Sequence, residues 1–173
     1  EAYITSGDDE IVEYGETASL SFEIFNDGEV DLTNVLLTIS SGSEYITILD
    51  GNETVGNIDA GESVMINDCV SFDVHNDIPN GRVITIIVDV EDDHSSWDIP
   101  FSYVAFAPMI EIDEVFIDDD NGLLDQGETT DIAIVFLNDG GAAIDELLAT
   151  LSSQDPLVTI NTTSGEVYNL EPD

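Results

Sequence analysis

The sequence predicts an all-β chain built as two sandwich repeats, the second truncated. Three observations predict it. Apolar residues alternate with a period of two rather than 3.6. Turn-forming clusters punctuate the apolar runs: Asn26-Asp27-Gly28, Asp50-Gly51, Ala60-Gly61 and Pro79-Asn80-Gly81. The sequence also matches itself, without a gap, at an offset of 112 residues.

The offset lays Gly15-Glu16-Thr17 on Gly127-Glu128-Thr129 and Asn26-Asp27-Gly28 on Asn138-Asp139-Gly140. From residue 15 to 59 there are 14 identities in 45 positions. Residue 1 aligns with residue 113, and Asp173 with Gly61. The reading is therefore a first domain over 1–107, its first strand partly missing, and a second over 108–173 representing an N-terminal half. The expectation is a window on a longer array. The joint at Ala107-Pro108 is so short that it predicts a semi-rigid rod.

The elements follow in order. In "TASLSFEIF", Leu20, Phe22 and Ile24 share one face, as do Ile132, Ile134 and Phe136 in the second copy. "NVLLTIS" points Val35, Leu37 and Ile39 inward, matched by Leu147, Ala149 and Leu151. Further strands are expected over 45–49, 63–74, 82–91 and 97–106, and one starting near Ile110. No segment has an amphipathic helical pattern. About seven short strands per domain fit tandem immunoglobulin-like β-sandwich domains, although the Cys…Trp…Cys signature is missing. Trp97 falls in the last strand, where a core or edge role is expected rather than a ligand platform.

Composition narrows the setting. Thirty-nine acids face one base, Arg82, for a formal charge of −38. The acids are interspersed among regular apolar runs, so the pattern is a folded protein with an acidic skin rather than a disordered chain. Self-repulsion on this scale favours a saline or calcium-rich setting, and hence an extracellular or cell-surface location. The same field argues against nucleic acid and anionic membrane as partners. Cys69 is the only cysteine, so no intrachain disulfide forms. No apolar run is long enough to span a bilayer.

The run "DDNGLLDQGET" at 119–129, then "NDGG" at 138–141 and "LATLSSQDPLVTI" at 148–160, resembles the immunoglobulin-like repeats of secreted and surface prokaryotic proteins. Such modules occur in adhesins and after gingipain-type peptidase domains. The pattern covers 108–173; the first copy keeps Gly15-Glu16 but has no Asn-Gly pair before it. The resemblance implies a sandwich fold and an extracellular location, and leaves function open.

Asp118, Asp119, Asp120, Asp125 and Glu128 lie within eleven residues, with Gly122 and Gly127 available for tight turns. Calcium takes six to eight oxygens, which clustered acids and loop carbonyls supply. The spacing is not that of an EF-hand. Two readings stand: a calcium loop using Asp118, Asp120, Asn121, Asp125 and Glu128, or an acidic turn in which Asn121-Gly122 bends the chain and Glu128 binds backbone. The first copy offers a thinner set, Asp8, Asp9, Glu13 and Glu16. Glu91-Asp92-Asp93-His94 is expected to be a solvated hairpin tip. Asn52 and Asn161 open two glycosylation sequons, both expected in loops. Cys69 with His75 or His94 lacks the accompanying motifs of a thiol nucleophile and is expected to be an inert buried thiol. Acidic pairs are too abundant to mark a glycosidase site.

The function expected is a non-enzymatic extracellular module, a spacer or stalk in an adhesin, filament or secreted multidomain protein. Its partners would be neighbouring repeats of the same protein. Two alternatives stand beside it: a filament subunit that joins like subunits by strand exchange, and an accessory module binding carbohydrate or protein through its end loops.

Overall fold

The computed structural model describes residues 2–6 as backbone and 11–173 in full. Among the described residues the chain is all-β, without helix. It divides into two compact units, Glu1–Ala107 and Pro108–Asp173. The Asp8 and Asp9 of the thinner acidic set lie outside the described residues.

Among the described residues the first unit carries nine strands: β1 (Ala2–Ser6), β2 (Val12–Glu13), β3 (Thr17–Phe25), β4 (Leu32–Ser41), β5 (Ile46–Asp50), β6 (Asn52–Ile58), β7 (Ser63–Val74), β8 (Arg82–Glu91) and β9 (Ser96–Phe106). They form a four-stranded sheet in the order β1-β3-β7-β5 and a five-stranded sheet in the order β2-β9-β8-β4-β6. The one parallel pairing among the described strands joins β2 to β9.

Period-two alternation explains how the sheets find each other. On β8, Ile84, Ile86, Val88 and Val90 are buried while the residues between them are not. On β4 the buried set is Val35, Leu37 and Ile39, as the alternation predicts. Across from them stand Leu20 and Phe22 of β3 and Val70, Phe72 and Val74 of β7, all in one apolar cluster. Each fully buried side chain of this size contributes about 1.5–3 kcal/mol. Tyr103 stacks on Phe72 with ring centroids 5.7 Å apart. Its hydroxyl is buried without a hydrogen-bond partner, and burial pushes its pKa up.

Two features depart from the simple alternation. The β3–β7 ladder shifts register between Leu20 and Phe22. There Asp68 takes a positive φ of 48° and donates its N–H to Ser21 Oγ at 2.9 Å. The neighbours Cys69 and Val70 are consequently both buried, as expected beside a β-bulge. The second departure is β6. Two asparagines and a glycine weaken its strand signal, yet it pairs along β4 from Leu32↔Ile58 to Thr38↔Asn52. Gly51 links β5 to β6, and the chain there changes sheets with no room for a side chain. An added Cβ would sit 2.9 Å from Ile48 Cγ2 and 3.1 Å from Ile39 O.

The second unit carries β10 (Ile110–Asp118), β11 (Asp131–Asn138), β12 (Ile144–Thr150) and β13 (Ser164–Leu170). They pair as two antiparallel hairpins, β10–β11 and β12–β13. The ladder of β12 and β13 runs from Ile144↔Leu170 to Thr150↔Ser164. These end pairs are those of β4 and β6 moved by 112 residues. Buried residues in this unit are Asn138 and Ala142.

Candidate functional site

The repeated Asn-Asp-Gly corner is hydrogen-bonded in the same way in both units. Asn26 is buried; its Nδ2 donates to Val30 O at 2.9 Å and Ile58 O at 3.1 Å. Its Oδ1 accepts the Gly28 N–H at 3.1 Å. Asn138 repeats each bond, to Ala142 O at 2.8 Å, Leu170 O at 3.2 Å and from Gly140 N–H at 3.1 Å. It adds one, accepting the Met109 N–H at 3.0 Å. Even the backbone bond from Gly61 N–H to Asn26 O, 2.8 Å, recurs from Asp173 N–H to Asn138 O, 3.0 Å. The Asn26 amide ties its own turn to Ile58, and the Asn138 amide ties its turn to Leu170 and Met109, so that the buried carbonyls of Ile58 and Ala142 are paired. Sequence reading found the Asn-Asp-Gly repeat but assigned it only a turn.

The Gly-Glu-Thr element is equally repetitive. Glu16 accepts the Glu13 N–H at 2.7 Å and Glu128 accepts the Asp125 N–H at 2.8 Å. Gly15 and Gly127 take φ of 73° and 82°, a region that favours glycine. The glutamate of each copy thus closes a turn on backbone.

The acidic loop between β10 and β11 is built on its own amides. Asp119 Oδ1 accepts from the Asn121 and Gly122 N–H groups. Asn121 Oδ1 accepts the Leu123 N–H at 2.7 Å, and its Nδ2 donates to Asp125 Oδ2 at 3.1 Å. The Asn121 amide, followed by a hydrogen bond shared with Glu128, holds the Asp119 carboxyl below the usual aspartate range. Thr130 Oγ1 donates to Asp118 O at 2.9 Å and joins the loop's two ends. Asn121, Asp125 and Glu128 are therefore linked by hydrogen bonds, while Asp118 takes part through its carbonyl. Among the described residues, no three His, Cys, Asp or Glu side chains converge as a metal-ligand set. Asp119, outside the five-residue calcium set, caps the loop through its Oδ1; sequence reading gave it no such role, although an aspartate followed by Gly three residues later is an ordinary turn signal.

The remaining candidates separate in space. Cys69 is buried, and its Sγ donates to Leu20 O at 3.5 Å; burial pushes the thiol pKa up. His75 bonds Thr47 Oγ1 at 2.9 Å, and His94 Nδ1 lies 3.9 Å from Asp92 Oδ2. The Asp92–Ser95 tip is tied by Asp92 Oδ1, which accepts from His94 N–H at 2.9 Å and Ser95 N–H at 2.7 Å. Asn161 is exposed in irregular chain. Asn52 is exposed too, but it opens β6 rather than lying in a loop, because β4 captures it as the partner of Thr38.

No protein-family model and no curated protein matches the sequence. Solved structures with partial similarity include a FixG-related protein from Vibrio parahaemolyticus, 10% identical with a TM-score of 0.37 over 61% of this chain and 94% of that one. A β-glucuronidase of Bacteroides uniformis is 14% identical with a TM-score of 0.41, over 65% of this chain and 14% of that one. The CsuC–CsuE chaperone–tip adhesion subunit complex of Acinetobacter baumannii is 16% identical with a TM-score of 0.27, over 92% of this chain and 80% of that one. None of the three carries a function to this chain.

Proposed function

We propose that this chain is a non-enzymatic structural module, a tandem of immunoglobulin-like sandwich repeats serving as spacer or stalk in an extracellular or cell-surface protein. The observation that carries the reading is the Asn-centred frame, rebuilt bond for bond at a spacing of 112 residues. A frame made from each copy's own residues suits a protein built by repeating one unit. The sheet orders β1-β3-β7-β5 and β9-β8-β4 support the immunoglobulin-like assignment, since they follow its usual division of strands between two sheets. One departure is that β6, beside β4, comes after β5 in the chain rather than before it. The strong negative charge supports a saline setting outside the cell.

Single-molecule pulling on a concatemer of residues 1–107 tests the mechanical role. Discrete unfolding events, each releasing about 3.3–3.6 Å of contour per residue, are expected. Extension without resolvable unfolding steps would remove the stalk reading. Calcium at 118–128 belongs to the same proposal as a clamp. It predicts a melting shift with calcium that Asp125→Ala abolishes, and an unchanged melt in the wild type would refute the clamp.

A second reading, assembly of like subunits by strand exchange, draws support from the open ladder edges of β11 and β12. Light scattering over a concentration series separates the two. Concentration-dependent growth favours exchange, and a constant monomer mass favours the spacer.

A further inference from the structure

The end of the first unit where the β3–β4 connection meets the β8–β9 tip contains a groove of about 270 Å³. Its aromatic wall is Trp97. Register explains why this residue is open. Leu37 pairs with Val90 and Val90 with Trp97, so the three lie in one cross-strand row on the same face. Leu37 and Val90 are buried in the core, yet Trp97 is 43% exposed. The strand beside it, β2, reaches only Ala105 and Phe106 of β9, at the opposite end. The core row therefore ends in an indole face open to the groove.

The polar lining is Asp31, Thr33, Asp92, His94 and Ser95, with the His94 imidazole 3.9 Å from Asp92 Oδ2. Asp31 lines one side and gives one oxygen to the Ala60 N–H at 2.9 Å. Asp92 lines the other; its side chain is 5% exposed and is fixed by the His94 and Ser95 amides. No lysine or arginine lines the groove, and the chain's one arginine, Arg82, stands over the Tyr45 ring. An indole face flanked by two carboxylates, in a chain of formal charge −38, is complementary to an organic cation.

We propose that this groove binds a basic side chain, a guanidinium or ammonium presented by a partner polypeptide, with Trp97 under the cation, Asp31 beside it and the largely buried Asp92 adding its charge from behind. The volume suits one such side chain. The inference is independent of the spacer role and stands or falls on binding alone.

Trp97 is the only tryptophan in the chain, so its fluorescence reports the groove directly. The probe is N-acetyl-arginine amide, titrated at constant ionic strength beside its neutral near-isostere N-acetyl-citrulline amide. A saturable change with the arginine probe, weaker by about ten-fold or more for citrulline, is expected. Asp31→Asn, which keeps the acceptor for Ala60, should narrow the difference between the probes. Trp97→Phe, followed by calorimetry, should weaken arginine binding in protein whose melt is otherwise unchanged. Equal binding of the two probes, a response reproduced by sodium chloride alone, or saturation by a neutral monosaccharide and not by arginine would each overturn the proposal.

Discussion

Leu20 and Ile132 occupy the same place in the two copies of the repeat, yet Leu20 is fully buried and Ile132 is 42% exposed. The local frames around them are alike: the same Asn amide bonds, the same glutamate-closed turn, and the same end pairs between the β4–β6 and β12–β13 ladders. What differs is what packs against them. In the first unit β7 and β8 lie beside β3 and β4, and the 173 residues hold no second set matching Glu62–Phe106. Short-range polar bonds thus form from each copy's own residues, whereas burial needs strands from elsewhere in the domain. The irregular run 151–163 makes the same point. Its counterpart includes β5, whose sole partner among the described strands is β7; without an equivalent, Leu157 is 92% exposed.

The most forceful way to sharpen this comparison is to supply the missing partner. Appending a copy of Glu62–Phe106 after Asp173 should turn 158–162 into a strand. Amide exchange at Val158 and Ile160 should slow by about a hundredfold or more. Unchanged exchange would mean that the copies are not equivalent folding units.

Paired truncations come next. Leu20→Ala should cost about 2–5 kcal/mol in denaturant melts, because it opens a cavity in a closed core. Ile132→Ala should cost no more than about 0.5 kcal/mol, as for an exposed site. Similar losses at both would break the comparison.

The Asn frame predicts a smaller asymmetry. Asn26→Ala leaves Val30 O, Ile58 O and Gly28 N–H without their partner, at a cost of about 2–3 kcal/mol. Asn138→Ala should cost at least as much, since it also leaves the Met109 N–H and the carbonyl of the fully buried Ala142 without their partner. A clearly smaller loss at Asn138 than at Asn26 would contradict this order.

The smallest effect is local. Asp119 has Gly7 as its counterpart, so this loop cap belongs to the second copy alone. Its folded pKa is depressed, chiefly by the Asn121 amide. The cap is therefore fully present above the ordinary aspartate value of 3.8, and it is lost as pH falls through the lower folded value. NMR titration should show the Asn121 and Gly122 amide signals moving only in that acid window. Movement near neutral pH would exclude Asp119 as the cap.

Much of the frame was legible in sequence. The run 63–74 and the run 82–91 are bounded by strong turn residues and carry β-branched apolar alternation, and β7 and β8 occupy those ranges. By contrast β6 and β13 were not expected. "NETVGNI" and "SGEVYNL" have little alternation of their own, and each becomes a strand because β4 or β12 offers an unpaired edge. Trp97 was read as a core or edge residue. Only the cross-strand row and the short reach of β2 explain its exposure.

By itself the sequence determined the period of two, the turns, the 112-residue repeat and the acidic surface, because each is written in neighbouring residues or in composition. The tertiary structure alone decided which alternating faces are sealed and which weak segments become strands. It also decided that the Asp119 and Glu128 carboxylates turn to their own loop's amides, and where an indole is left open beside two carboxylates. Burial and strand pairing are long-range: they depend on which distant segment arrives, and a local pattern cannot encode that.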